Sequence, residues 1–331
     1  MSQIYGIDLS KEKFDVNFVD SLGVMRELEV KNKYDSICKF LSGLPENTIV
    51  CIEHTGIYGD LIVFLSNSFN VTICAIPGYD IKHSLGLQKG KSDPLDAARI
   101  REYGERFTDK LVPVSYADDD MHELRELHTL RQALVKNRKI LLTQQKEKSR
   151  LPFKSISAQH IATNAINQLS AQITAVEKEI QTIINSNAEY EKNSELVRSI
   201  IGIGPVTANE LIIKTHNFKK INTARRAASF AGICPFPNSS GKMVKKSRIS
   251  SMGDRSLKTL FYLCATSSIQ YNKDMKQYYQ RKKTEGKPSY LALNNVANKL
   301  LRTIYAIIES GEKYDVNYNC LDPRLQEKNV I

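Results

Sequence analysis

Apolar and polar positions alternate along the first third of the chain. Ile4–Asp8, Phe14–Val19 and Met25–Val30 each carry a period of two, interrupted by Ser10-Lys11-Glu12-Lys13 and Asp20-Ser21-Leu22-Gly23. Three short antiparallel strands are expected. A helical spacing follows at Tyr34–Leu44, then a buried strand Thr48–Glu53, a helix about Tyr58–Asn67 and a strand Val71–Ile76 that stops at Pro77-Gly78. The order β-β-β-α-β-α-β predicts an α/β domain over residues 1–115.

From residue 116 to 195 the period lengthens. Leu124, Leu127, Leu130, Leu134, Ile140 and Leu141 form one heptad-like series, and Ile166, Leu169, Ile173, Val176, Ile180 and Ile183 another, with Pro152 in the break between them. This spacing predicts either an antiparallel helical hairpin or an intermolecular coiled coil. Residues 196–317 read as mainly α-helical: Glu195–Ile200, Val206–Thr215, Thr223–Ala231, Ser256–Ser267, Asp274–Glu285 and Ser289–Ser310. The polar chain after Tyr314, with 318–331 as a tail, is expected to be loosely held.

Composition narrows the class. The 331 residues, 41% hydrophobic and 25% charged, describe a globular protein of about two domains. The longest apolar runs, such as Leu61–Leu65, are too short to cross a bilayer, and Met1–Gly6 has no secretory pattern, so a cytoplasmic protein is expected. Six cysteines without a Cys-x-x-Cys pair read as reduced thiols, and His122 and His128, six apart, fall on different helix faces, which argues against zinc. The charge is uneven. Residues 1–115 hold 13 basic and 16 acidic side chains and 116–195 hold 11 of each, whereas 196–317 hold 21 basic and 7 acidic. A surface that merely solubilises mixes its signs, so this excess points to a polyanionic partner.

The chemistry is carried by acids. Asp8 closes the first predicted strand and Glu53 the fourth; if those strands are neighbours, the two carboxylates emerge at one sheet edge. In Lys91-Ser92-Asp93-Pro94-Leu95-Asp96-Ala97-Ala98-Arg99, Ser92 suits a helix N-cap, Pro94 a first turn, and Asp93 and Asp96 share a face. An Asp-x-x-Asp alone is common, and acids near strand ends are often caps. The ordered set favours four converging carboxylates, as a pair of Mg²⁺ or Mn²⁺ ions acting on a phosphodiester requires.

Gly6-Ile7-Asp8-Leu9-Ser10-Lys11, Glu53-His54-Thr55-Gly56, the Lys91–Ala97 block and Ser239-Ser240-Gly241-Lys242 together resemble the DEDD transposases of bridge-RNA-guided insertion sequences, a family that includes the Piv-type DNA invertases; the resemblance spans about residues 3–317. It implies a RuvC-like RNase H-fold catalytic domain with Asp8, Glu53, Asp93 and Asp96 as metal ligands. It further implies recombination of target and donor DNA chosen by a non-coding bridge RNA.

The segment Ala231–Lys242 reads as a Pro- and Gly-rich loop, followed by Lys245, Lys246 and Arg248, with Lys242 beside the serines. Outside the resemblance a Ser-Ser-Gly turn is simply a turn. Within it, one serine attacks DNA and forms a phosphoserine: Ser240 by its place before Gly241, Ser239 by counting from Pro235. Where many relatives have a basic residue this chain has Ser251. Upstream, Ile200–Leu211 with Gly202 and Gly204 resembles a helix-hairpin-helix phosphate clamp, next to Lys219, Lys220, Arg225 and Arg226; read blandly, it is an interhelical turn. About 130 residues separate the acids from the serines, so composite sites in a homo-oligomer, a dimer or tetramer, are expected.

Three other functions compete. A junction nuclease would use water and leave no protein–DNA adduct. An actin-like ATPase would share Gly6-Ile7-Asp8-Leu9 but lacks a second Asp-x-Gly strand. A non-enzymatic nucleic-acid binder would leave the acids without a role.

Overall fold

The computed structural model describes residues 3–53, 56–86, 90, 92–114, 118–153, 155–240, 243–249 and 253–316, with side chains 236–252 outside that description. The chain divides into two compact units, 1–118 and 119–331.

In the first unit, β1 (Ile4–Leu9), β2 (Lys13–Val19), β3 (Met25–Lys31), β4 (Ile49–Glu53) and β5 (Thr72–Ile76) form one mixed sheet. Its order is β3-β2-β1-β4-β5, with β2 antiparallel to both neighbours and β1, β4 and β5 parallel. The strands lie within a residue or two of the expected ones because each is a short β-prone run bounded by turn residues. Helices α1 (Tyr34–Ser42) and α2 (Asp60–Phe69) cover one face, burying Ile37, Leu41, Ile62 and Leu65 against Ile7, Phe14 and Val50. Helices α3 (Gly78–Ser84) and α4 (Asp93–Arg106) cover the other, where Ile81, Ile100 and Tyr103 meet Cys51 and Cys74. With apolar layers on both sides, the central strands read as apolar runs rather than half-buried ones.

The second unit opens with α5 (Asp119–Lys148) and α6 (Ile156–Ser186). Arg131 pairs with Glu177 at 2.6 Å, Arg138 with Ser170 at 3.4 Å and Gln145 with Thr163 at 3.0 Å. These partners step by seven in opposite directions, so the two helices form an antiparallel hairpin within one chain. Leu130 and Ile140, expected in its seam, are instead exposed, because one partner helix covers only one stripe of α5.

Behind the hairpin come α7 (Ala188–Arg198), α8 (Pro205–Thr215), α9 (Ala224–Phe230), α10 (Arg255–Tyr271), α11 (Lys273–Thr284) and α12 (Ser289–Ser310). The sequence placed the start of α7 seven residues too late; Asn187 caps it by accepting from the Glu189 and Tyr190 amides. Helix α12 supplies the central stripe, with Val296, Leu300, Leu301 and Ile304 fully buried. Tyr314 is tied in at both ends, its amide to Ser199 and its hydroxyl to Asn272. Strands β6 (Pro235–Ser240) and β7 (Met243–Ile249) pair as an antiparallel hairpin where a loop was expected. Two prolines and a Ser-Ser-Gly run hide the alternation of β6, and a register shift between Phe236 and Asn238 breaks it further.

Among the described residues, five cysteines are free thiols and no helix is long and apolar enough to cross a membrane.

Candidate active site

Three local features bring the acids together. Strands β1 and β4 run parallel with Ile7 opposite Ile52, which places Asp8 and Glu53 side by side at the ends of adjacent strands. Helix α4 runs back along β1. A Cβ on Gly6 would meet Ala97 O at 2.2 Å, and one on Gly104 would meet Ile4 Cγ2 at 3.0 Å, so the first turn of α4 lies toward Asp8. That close approach is available only because residue 6 has no side chain. Arg101 fastens the helix further, donating from Nε to Asn17 Oδ1 on β2 at 2.7 Å. Asp93 and Asp96 then occupy the first turn of α4.

The electrostatics report the same convergence. The carboxyl of Asp8 is pushed up to about 6, first by burial and then by the charges of Asp96, Asp93, Glu53 and Asp15. Asp15, on β2 directly across from Asp8, is an acid the sequence reading passed over; strict pairing of the first two strands would have found it. It is buried, with the Lys13 ammonium 3.6 Å away. Asp96 accepts from Arg99 Nη1 at 2.6 Å, while the same guanidinium reaches Gly90 O at 2.9 Å. The Glu53 carboxylate lies against Gly78 at the start of α3, where a Cβ would stand 2.2 Å from Oε1.

With Asp96 turned to Arg99 and Glu53 laid on Gly78, no three His, Cys, Asp or Glu side chains among the described residues stand close enough to hold a metal ion. The donor set nevertheless fits a hard divalent cation. It is all carboxylate, and a cation placed there would offset the repulsion that adds to burial in raising Asp8.

In the second unit the register Ser239–Val244 and Ser240–Met243 puts both serines at the tip of the β6–β7 hairpin. Lys242 lies outside the described residues, as do the side chains of Ser239, Ser240, Lys245, Lys246 and Arg248. The base of the hairpin is firmly held. Gly253 presses on Gly232 so closely that a Cβ would lie 2.5 Å from Gly232 Cα, the Asp254 amide donates to Phe230 O at 2.7 Å, and Asn294 Nδ2 donates to Ile233 O at 2.9 Å. Lys214 bonds both oxygens of Asp254, at 2.7 and 2.8 Å, and Glu210 Oε1 at 2.8 Å; Glu210 also accepts from Ser256 Oγ at 2.5 Å.

Between α7 and α8, Gly202 has φ +102° and backs onto Ser268, so it is consumed by packing, whereas Gly204 opens α8 with free space around it. Lys219 is paired with Glu189 at 2.8 Å. The Lys220 ammonium is held below the usual lysine range by partial burial and then by Arg125. Arg225 and Arg226 are exposed on α9.

An acid-lined sheet edge and a strongly basic helical unit in one chain define an enzyme that works on nucleic acid. A DEDD transposase profile of the IS110 type matches residues 5–151, and the Transposase IS116/IS110/IS902 family matches 194–280. The pilin gene-inverting protein of Moraxella bovis is 24% identical over 326 residues, covering 95% of this chain and 98% of that one. An uncharacterized 42 kDa protein of insertion element IS900 from Mycobacterium paratuberculosis is 24% identical, covering 77% and 81%; a putative transposase of Sinorhizobium fredii is 24% identical, covering 93% and 84%. The chain belongs to the DEDD transposase family of insertion sequences, and it is a DNA transposase of divalent-metal-dependent type.

Proposed function

We propose that this transposase recombines target and donor DNA selected by a non-coding bridge RNA, through metal-assisted phosphoryl transfer with Ser239 or Ser240 as nucleophile. The first unit is read as a RuvC-like RNase H fold, which the strand order 3-2-1-4-5 with antiparallel β2 supports. The observation that supports the reading is the placement of Asp8 and Glu53 at the ends of adjacent parallel strands with Asp93 and Asp96 in the first turn of α4, beside an Asp8 carboxyl raised first by burial and then by its acidic neighbours.

In this reading Asp8, Glu53, Asp93 and Asp96 hold Mg²⁺ or Mn²⁺. Bound there, two such ions supply charge stabilisation at the attacking and leaving oxygens of a phosphodiester. The serine Oγ bonds phosphorus as the bond to the leaving DNA oxygen breaks; the serine proton passes to solvent, and the leaving oxygen takes a proton from solvent to become a DNA hydroxyl. Lys242, Lys245, Lys246 and Arg248, close to the serines in sequence, balance the phosphate's charge. Gly204, with Lys219, Lys220, Arg225 and Arg226, serves the DNA backbone without reading bases. Acids in one unit and serines in the other favour a homo-oligomer with composite sites.

The test is recombination of guide-selected DNA by the purified protein with Mg²⁺. Asp8→Asn and the Ser239→Ala/Ser240→Ala pair abolish it, and a protein–DNA adduct is trapped that a single serine variant loses. Normal recombination by both variants overturns the proposal; cleavage without an adduct replaces the serine with water. Mixing acid-variant with serine-variant subunits restores activity if the sites are composite.

A further inference from the structure

The basic residues singled out on the second unit are partly spent within the protein: Lys219 holds Glu189, and the Lys220 ammonium is disfavoured by partial burial and then by Arg125. A different cluster keeps three of its lysines free of ion pairs among the described residues. Helix α11 carries Lys273, Lys276, Arg281, Lys282 and Lys283 in twelve residues, and only Met275 of that helix is buried. From residue 271 to 299 there are seven basic side chains and two acidic ones.

The fold has little with which to neutralise them. Arg281, Lys282 and Lys287 all turn to one carboxylate, Glu285, at 3.9, 2.8 and 3.8 Å. Arg281, Lys282 and Lys299 also ring the face of Tyr278, at 5.3, 5.5 and 4.8 Å from its centroid. Among the described residues Lys273, Lys276 and Lys283 make no ion pair. At 3.6 residues per turn, 273, 276, 280 and 283 fall within about 80° of one helix face, a stripe about 15 Å long. Exposed tyrosines bracket it: Tyr271 two residues before α11 and Tyr290 six residues beyond its last residue.

Unpaired lysines on one stripe are suited to successive phosphates, and exposed aromatic rings to bases that are free to leave a stack; a closed duplex offers the phosphates but hides the base faces. We propose that the α11 stripe, Lys273, Lys276 and Lys283 with Tyr271 and Tyr290, binds the phosphodiester backbone and bases of unpaired nucleotides. A loop of folded RNA and a displaced DNA strand share that chemistry. The proposal rests on the reading of the protein as a nucleic-acid recombinase.

The test is binding of labelled U20, dT20 and a 20-base-pair duplex by the full-length protein over 50–200 mM NaCl. The variant is Lys273→Gln/Lys276→Gln/Lys283→Gln, whose exposed, unpaired side chains leave the thermal midpoint unchanged. On single strands each lost phosphate contact removes about 0.7 from the slope of log K against log salt, so the slope becomes shallower by about 2. The advantage of the wild-type protein over the variant then shrinks roughly 20-fold between 50 and 200 mM salt.

The corresponding Lys→Arg triple keeps the slope. Tyr271→Ala/Tyr290→Ala loses about fivefold or more in affinity with the slope unchanged. A slope change on U20 alone or dT20 alone names the source as RNA or DNA, and a change on both supports the shared chemistry. Wild-type binding with no slope change in the lysine variant, or a change confined to the duplex, overturns the proposal. Absence of any wild-type binding instead overturns the recombinase reading on which it rests.

Discussion

Gly6 is the position where a single methyl group should reach the proposed active site without touching it. A Cβ there would lie 2.2 Å from Ala97 O and 2.3 Å from Arg101 N, both backbone atoms, whereas ordinary contacts begin near 3.4 Å. Gly6→Ala therefore requires α4 to retreat by about 1 Å or the strand to bend by as much. Overpacking of this kind costs about 1–3 kcal/mol, which lowers the first unit's unfolding midpoint by roughly 5–15 °C. The retreat also carries Asp93 and Asp96 away from Asp8 and Glu53, and a misplacement of about 1 Å at a catalytic centre is worth about 100-fold in rate. The assay pairs calorimetric unfolding with strand exchange at saturating Mg²⁺. Gly59→Ala is the control, since its Cβ would meet only the side-chain tips of Leu9 at 3.3 Å and Ile52 at 3.5 Å. If Gly6→Ala matches Gly59→Ala in both stability and rate, the placement of α4 on β1 is wrong.

Other outcomes follow from the charges. Because the Asp8 carboxyl is raised to about 6, its contribution to metal-free stability is full below its unfolded value near 3.8 and is lost as pH rises through 6. Asp8→Asn should thus stabilise the metal-free protein at pH 7 by about 1 kcal/mol, a figure reduced for solvent screening because Asp8 is only half buried. The same variant should lose the Mg²⁺-induced rise in midpoint; denaturant titrations at pH 4.5 and 7.5 with and without Mg²⁺ check both. Lys214→Met leaves Glu210 and Asp254 facing each other without their shared cation, and should cost the second unit about 3–5 kcal/mol in urea unfolding, with Lys214→Arg recovering most of it. If Lys214→Met unfolds at the wild-type urea concentration, the network is not holding the hairpin base.

Much of the first unit's fold was legible because short β-prone runs bounded by turn residues mark their own ends. Asp8 and Glu53 could be placed at strand termini from the extent of the strand-like runs, and Ser92-Asp93-Pro94 marks a helix start by capping chemistry. What the sequence could not convey was direction. That α4 runs back along β1 depends on a steric fit between Gly6 and the backbone of residues 97 and 101, which leaves no periodic trace. Asp15 was missed for a related reason: its role comes from lying opposite Asp8 across an antiparallel pair, a relation between two segments. The β6–β7 hairpin was missed because Pro235, Pro237 and the serines suppress the very alternation that would mark a strand. Leu130 and Ile140 misled in the opposite sense, since a heptad position is buried only where a partner arrives to cover it.

The two serines stand at the end of a lever. Its fulcrum is the contact of Gly232 with Gly253, and its arm is the six residues of β6, about 17 Å long at strand rise. Tilting that arm by about 10° sweeps the tip through about 3 Å, roughly the separation between a nucleophile aligned with its phosphorus and one that has lost it. Packing faults at the fulcrum, too small to unfold the helices around it, will consequently be magnified at the two serines proposed as nucleophiles.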